Sequence, residues 1–161
     1  MALTMKLRLR VFQRDKWICS YCGRPVVFHP SLRLLQEFVN EHGFDGSGYY
    51  HRNWINDDAP LLDYLGAVID HIRPIARGGR DTEDNLKTSC NKCNALKNDR
   101  EESSLQPRRQ VKSKYGAPMK WDGLSRVFVI LADRTPDELT AQEKRWRHAM
   151  RESSFDRVGR I

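Results

Sequence analysis

Apolar residues near the start of the chain fall at Leu7, Leu9, Val11 and Phe12, a spacing that fits a short helix or a strand equally well. Trp17 and Ile18 then lead into Cys19 and Cys22. Gly23 follows directly and predicts a segment that turns back on itself, because a tight turn presenting two side chains to one point needs a small residue there. Between Ser31 and His42 the apolar positions Leu32, Leu35, Phe38 and Val39 recur at helical spacing, with Ser31 placed to cap the helix and Gly43 to end it. Phe44 to Pro60 is aromatic and rich in Gly, Asn and Asp, the composition of an irregular loop. Leu61 to Leu65 predicts a helical turn, and Ala67 to Ile69 a strand that delivers Asp70 and His71. Pro74 and Gly78-Gly79 forbid a continued strand or helix, so Ile72 to Asp84 is loop, followed by a second strand over Asn85 to Thr88 and a helix over Asn91 to Arg100.

The pattern changes after Arg100. Gln106 to Pro118 carries Arg108, Arg109, Lys112 and Lys114 with few apolar residues and reads as a basic arm or linker. Apolar content returns from Trp121, with a strand expected over Val127 to Leu131. Thr135, Pro136 and Glu138 then form a capping signature that opens a helix running to about Met150. The fold class is therefore α+β. Its expected division is a functional domain over residues 1–104 with a helical and loop insertion at 24–66, a basic arm at 105–120, and a strand-helix extension at 121–161 packed on or near the core.

Composition adds a constraint. In 161 residues only 39% are hydrophobic and 30% are charged, which suits one modest domain with additions that needs something besides burial to hold it. The four cysteines supply a candidate. Cys19 and Cys22 form one Cys-x-x-Cys pair, Cys90 and Cys93 another, and together they offer the four soft thiolates of a closed tetrahedral zinc site. A redox dithiol needs only one pair, and neither pair opens a thioredoxin-like strand and helix. Such grouping suits a reducing compartment, and no apolar run is long enough to cross a bilayer, so the expectation is a cytoplasmic protein.

The net charge of +7 is unevenly placed. Met1 to Val26 holds six Lys or Arg against one Asp, and His71 to Thr135 holds fourteen against eight acidic residues, whereas Val27 to Asp70 holds two against seven. The basic surplus coincides with the cysteine-bearing segments and favours a polyanion partner, although charge alone suits a ribosome-associated or membrane-surface protein as well. Arg73, Arg77 and Arg80 surround the glycine loop, and Lys97 lies one turn beyond Asn94. Each is a candidate phosphate contact, with a solvated surface charge as the plainer alternative. Tyr49, Tyr50 and Trp54 invite base stacking, but packing over the neighbouring helix is the stronger expectation.

Asp70 and His71, as neighbours at the end of a strand, point to different sides, so one can hold a metal while the other faces another part of a reaction site. In isolation a surface Asp beside a strand-end His would be the simpler account. The pair is not isolated. The stretch Val68-Ile69-Asp70-His71-Ile72-x-Pro74, Gly78-Gly79, Asp84-Asn85-Leu86 and Cys90-Asn91-Lys92-Cys93-Asn94-x-x-Lys97 resembles the HNH endonuclease family. Val11-Phe12-x-Arg14-Asp15 with Trp17-x-Cys19-x-x-Cys22-Gly23 matches the entry to its cysteine-bearing branch.

That resemblance implies a ββα-metal core with a structural zinc site made by the four cysteines. It implies His71 as general base, Asp70 and Asn94 as ligands of a catalytic ion, and Asn85 as the residue fixing the loop that orients His71. Many relatives have His in place of Asn94; a neutral amide oxygen favours hard, labile Mg²⁺ or Mn²⁺ at this second site over zinc. An imidazole, titrating ordinarily near pH 6.5, accepts a proton from water if an acceptor fixes its other nitrogen. The implied activity is hydrolysis of DNA, expected to be double-stranded, to a 5′-phosphate and a 3′-hydroxyl. Nicking and double-strand cutting, monomer and homodimer, all stay open. A non-catalytic zinc-stabilised nucleic-acid-binding module is the alternative.

Overall fold

The computed structural model describes residues 3–50, 60–98, 100 and 121–153. The basic arm with Arg108, Arg109, Lys112 and Lys114 lies outside the described residues, as does Trp54. The first apolar stretch is a helix, α1 (Met5–Arg14), capped by the Thr4 hydroxyl and burying Leu9, Val11 and Phe12. The chain then enters the first cysteine turn, where Cys19 N–H donates to Arg24 O, Gly23 N–H donates to Cys19 O, and Gly23 takes a φ of 71°. Helix α2 spans His29–Glu41, two residues earlier than expected, with Phe28 at its cap and Pro30 in its first turn. Ser31 does not cap it. The Ser31 side chain is buried and its hydroxyl donates to Leu124 O, a contact 93 residues away.

A short helix α3 (Pro60–Leu65) turns at Gly66 into β1 (Ala67–His71), which pairs antiparallel with β2 (Leu86–Cys90). The register sets Ala67 opposite Cys90 and His71 opposite Leu86, so the hairpin carries a cysteine at one end and the Asp70-His71 pair at the other. Helix α4 (Asn91–Lys97) follows without a gap and ends three residues short of expectation, where Asn98 adopts a positive φ of 52°. The strand, loop, strand, helix order with its cluster of four cysteines thus forms a mixed helix and strand fold around a two-stranded sheet.

The C-terminal strand is corrected to a helix. Val127 to Leu131 lies within α5 (Ser125–Arg134). Local β-branched residues suggested a strand, but the buried positions Ser125, Phe128, Leu131 and Ala132 follow helical spacing, and Asp122 accepts from the N–H groups of Leu124 and Arg126 at the helix start. The last helix, α6 (Ala141–Glu152), begins at Ala141 and not at Pro136. Two Thr-x-x-Glu signatures compete there, and the second wins. Thr140 and Glu143 close a reciprocal capping box, and Glu143 also pairs with Arg33 on α2.

Helices α5 and α6 complete the core. Phe28 is its centre, with Phe128 at 5.2 Å and Trp146 at 5.0 Å between ring centroids, both edge-on, and Trp17 stacks on Phe12 at 4.7 Å. The four cysteines belong to the same buried cluster. Tyr50 packs against a smaller cluster of Val27, Leu32 and Leu62, which favours packing over stacking for this ring. Among the described residues no helix is long and apolar enough to cross a membrane.

Candidate active site and metal centre

The Sγ atoms of Cys19, Cys22, Cys90 and Cys93 all lie within 4.8 Å of one another, with Cys22 and Cys90 at 3.9 Å. Four sulfurs around zinc at about 2.3 Å would sit about 3.8 Å apart, whereas a disulfide requires about 2.05 Å. The cysteines are therefore positioned to form a metal site, and the donor set is compatible with zinc. Packed this closely, the thiols ionise unequally. A hydrogen bond from Cys90 holds Cys19 down at about 4, the same contact and burial push Cys90 up, and burial followed by the charge of Cys19 pushes Cys93 up to about 12. A cation among them would draw off the remaining protons.

The cysteine turn is tied directly to the hairpin: Ser20 N–H donates to Thr88 O at 2.9 Å, and Thr88 N–H donates to Asp15 Oδ2 at 2.7 Å. This tie carries Tyr21 over the sheet. Its hydroxyl donates to Asp70, and the Lys87 ammonium sits 3.8 Å from its ring centroid. Tyr21 carried no functional expectation; its place inside the Cys-x-x-Cys pair is the signal that would have found it.

Lys97 departs from expectation. Instead of standing at the surface to meet a phosphate, it is 1% exposed, and its ammonium donates to Asp70 Oδ1 at 3.0 Å and to His71 O at 2.7 Å. The physical reason is the hairpin beneath α4. Asp70, 6% exposed, needs a counter-charge, and one turn of helix places Lys97 over it. Asn94 lies three residues earlier on α4, half-buried, which puts it on the same side of the helix one turn nearer the cysteines.

His71 points the other way from Asp70, as strand alternation requires. Its Nε2 lies 2.8 Å from Asp81 Oδ1, and the two side chains are 20% and 33% exposed. Asp81 had no sequence signal, being one of three acidic residues in an irregular loop. The loop is held by Asn85, whose Oδ1 accepts from Arg73 N–H while its Nδ2 donates to Arg73 O and Arg80 O. Both glycines are needed there. Gly78 has a φ of 82°, and a Cβ on Gly79 would run into the Arg73 carbonyl oxygen. Arg73, Arg77 and Arg80 are exposed around this loop.

At the end of the hairpin away from His71, His29 lies against Gly66 with Nε2 3.4 Å from Asn91 Nδ2, and burial pushes its imidazole down to about 4. A folded pKa below the unfolded value of about 6.5 means the unfolded chain takes up a proton that the native state refuses. Stability from this residue is complete above pH 6.5 and declines as pH falls to 4, by up to about 3 kcal/mol at 1.4 kcal/mol per pH unit. His29→Gln should flatten the pH dependence of denaturant unfolding in this window relative to wild type. Parallel curves for the two proteins would contradict the assignment.

Residues 60–100 match the family model described as HNH endonuclease. No curated protein and no solved structure matches the chain. The matched segment contains α3, both strands, the glycine loop and α4, so it takes in Asp70, His71, Asn85, Asn94 and the second cysteine pair. The likeness to the HNH endonuclease family thus runs from residue 60 to residue 100, and it links this segment to nuclease and nucleic-acid chemistry.

Proposed function

We propose that this chain is a metal-dependent endonuclease that hydrolyses DNA phosphodiester bonds, with His71 as general base and one Mg²⁺ or Mn²⁺ held by Asp70 and Asn94. The observation that carries the reading is the His71-Asp81 contact inside the segment that matches the HNH family. A carboxylate that accepts from Nε2–H leaves Nδ1 as the nitrogen for a water molecule, so the ring is fixed in the tautomer a base requires. Asn85 holds the loop that bears Asp81, and Lys97 holds the His71 carbonyl, so ring and acceptor are set from two sides.

Asp70 and Asn94 offer oxygen donors, the chemistry a hard cation prefers. Tyr21 and Lys97 each take one lone pair of the Asp70 carboxylate, which has about four, so capacity for an ion remains. Bound there, the ion supplies positive charge against the oxyanion that grows as the bond breaks. The attacking water forms a bond to phosphorus and passes its proton to His71 Nδ1. The phosphorus–O3′ bond breaks, and the leaving oxygen takes a proton from solvent. A 5′-phosphate and a 3′-hydroxyl result. Arg73, Arg77 and Arg80, and in the arm Arg108, Arg109, Lys112 and Lys114, are the proposed contacts to the backbone of duplex DNA. Zinc among the four thiolates and a reducing, cytoplasmic setting complete the reading.

One observation favours a non-catalytic nucleic-acid-binding module instead: a buried lysine already neutralises Asp70. Supercoiled plasmid incubated with the full chain and Mg²⁺ or Mn²⁺ separates the two. Nicked circles that a ligase reseals without kinase treatment are expected. Failure to nick any duplex with either ion, by folded protein that binds DNA, would transfer the chain to the binding class. Asp81→Asn, whose amide can donate to the imidazole and favour the wrong tautomer, should slow single-turnover nicking by about 10- to 100-fold with DNA affinity unchanged. Wild-type rates in that variant would remove Asp81 from the mechanism.

A further inference from the structure

A cavity of about 890 Å³ lies between α1, α2, β1 and the first turn of α6, and Asn94 and Ile69 form part of its wall. Two guanidinium groups line it, and they differ in kind. Arg33 is spoken for: Nη2 donates to Glu143 Oε2 at 2.6 Å, and Nη1 donates to Glu37. Arg8 is half-buried, its Nε is shielded from solvent, and that atom has no hydrogen-bond partner among the described residues. His29, also in the wall, is neutral at pH 7, and the charge of Glu143 is taken by Arg33. Among the described residues, the cavity thus presents one guanidinium, that of Arg8, with which no carboxylate pairs.

A guanidinium nitrogen is costly to keep out of water unless something answers it. An anion with several acceptor oxygens is what a guanidinium fork fits, and phosphate is the match. Its place in the chain of events follows from Asn94. The residue proposed to hold the catalytic ion shares a wall with Arg8, and a DNA strand offers a further phosphate about every 3.4 Å along the axis. We propose that Arg8 and this cavity bind a second phosphate group of the cleaved strand, a nucleotide or so from the scissile bond. This rests on the nuclease reading for the ligand's identity and on the uncompensated guanidinium for its class.

The Nε–Hε resonance of Arg8, assigned by its disappearance in Arg8→Met, tests the idea on the full zinc-loaded chain. Inorganic phosphate and deoxyadenosine monophosphate should both shift it, while deoxyadenosine should not. With a short duplex in Ca²⁺, Arg8→Met should weaken binding by about 10-fold and flatten the slope of log affinity against log salt by about 0.9, the value of one phosphate contact; Arg8→Lys should recover part of both. No ion pair or side-chain hydrogen bond holds Arg8 in place among the described residues, so the Met variant is expected to melt as wild type does. If it does not, the wild-type resonance and Arg8→Gln decide. A resonance unmoved by either phosphate probe overturns the proposal, as does wild-type affinity and slope in a folded Met or Gln variant. A shift with inorganic phosphate alone, without effect of the nucleotide or the duplex, means an adventitious ion only and also overturns it. Nicking by wild type with an unmoved resonance leaves the nuclease reading standing; a shifted resonance in a chain that never nicks does the reverse.

Discussion

His71→Ala is expected to lose about 10²- to 10⁴-fold in plasmid nicking, the usual worth of a positioned proton-transfer group, while zinc content, melting and duplex affinity stay at wild-type values. The fold gives the side chain little to do besides this. It is one-fifth exposed, and the interaction described for it is with Asp81, itself one-third exposed. Its backbone is what the surroundings hold, through β2 pairing at Leu86 and through Lys97 at the carbonyl, and alanine keeps both. Asp70 behaves differently. Removing that carboxylate would strand a lysine that is 1% exposed together with the Tyr21 hydroxyl, a change that costs about 3–5 kcal/mol. Activity and stability should therefore fall together in Asp70→Ala, and excess Mg²⁺ should not restore the variant. A folded His71→Ala that nicks at the wild-type rate would defeat the mechanism; so would a melting temperature lowered in step with its activity.

The other large effect is expected from the thiol cluster. Zinc at a structural site is worth about 10–16 kcal/mol in small zinc-folded peptides, comparable to the entire stability of a domain, about 5–15 kcal/mol. Cys93→Ala, or chelation of the wild-type metal, should consequently abolish the cooperative melting transition and not merely lower its midpoint. Position explains why the effect spreads. Cys19 and Cys22 sit among Leu9, Phe12 and Trp17, while Cys90 and Cys93 close β2 and open α4, so the cluster joins the first helix to the hairpin at the middle of the core. Circular dichroism melts beside a colorimetric zinc assay would check this. A metal-free wild-type chain with an unchanged transition would show that burial alone holds the fold.

Much of the site could be read from the chain because its parts are local. The cysteine pairs, the Asp70-His71 step, the two glycines and Asn85 each act through neighbours within a dozen residues or at a spacing that geometry enforces. What escaped the reading depends on contacts across the fold. Lys97 is buried because Asp70, 27 residues earlier, lies beneath it, and α6 starts where Glu143 meets Arg33, 110 residues away. Helix α5 escaped for a related reason. Its Val127, Val129 and Ile130 favour strand locally, yet Ile130 is 55% exposed and the buried face is set by Phe128 and Leu131 against Phe28 and α2. Asp81 could not be separated from Glu83 and Asp84 until the loop was closed around Asn85.

Two cysteines of the cluster positioned to form a metal site are separated from the other two by 67 residues, and this governs the order in which a newly made chain can mature. At about 5–20 residues per second, the ribosome delivers Cys19 and Cys22 several seconds before Cys90 and Cys93. During that interval the first pair has no partner thiols, and the strand whose Thr88 receives Ser20 N–H has not been made. The first cysteine turn is therefore among the last parts of this fold to settle. Its two thiols are exposed to oxidants and stray metals for those seconds, and an early Cys19–Cys22 disulfide would leave the second pair to emerge with nothing to close on.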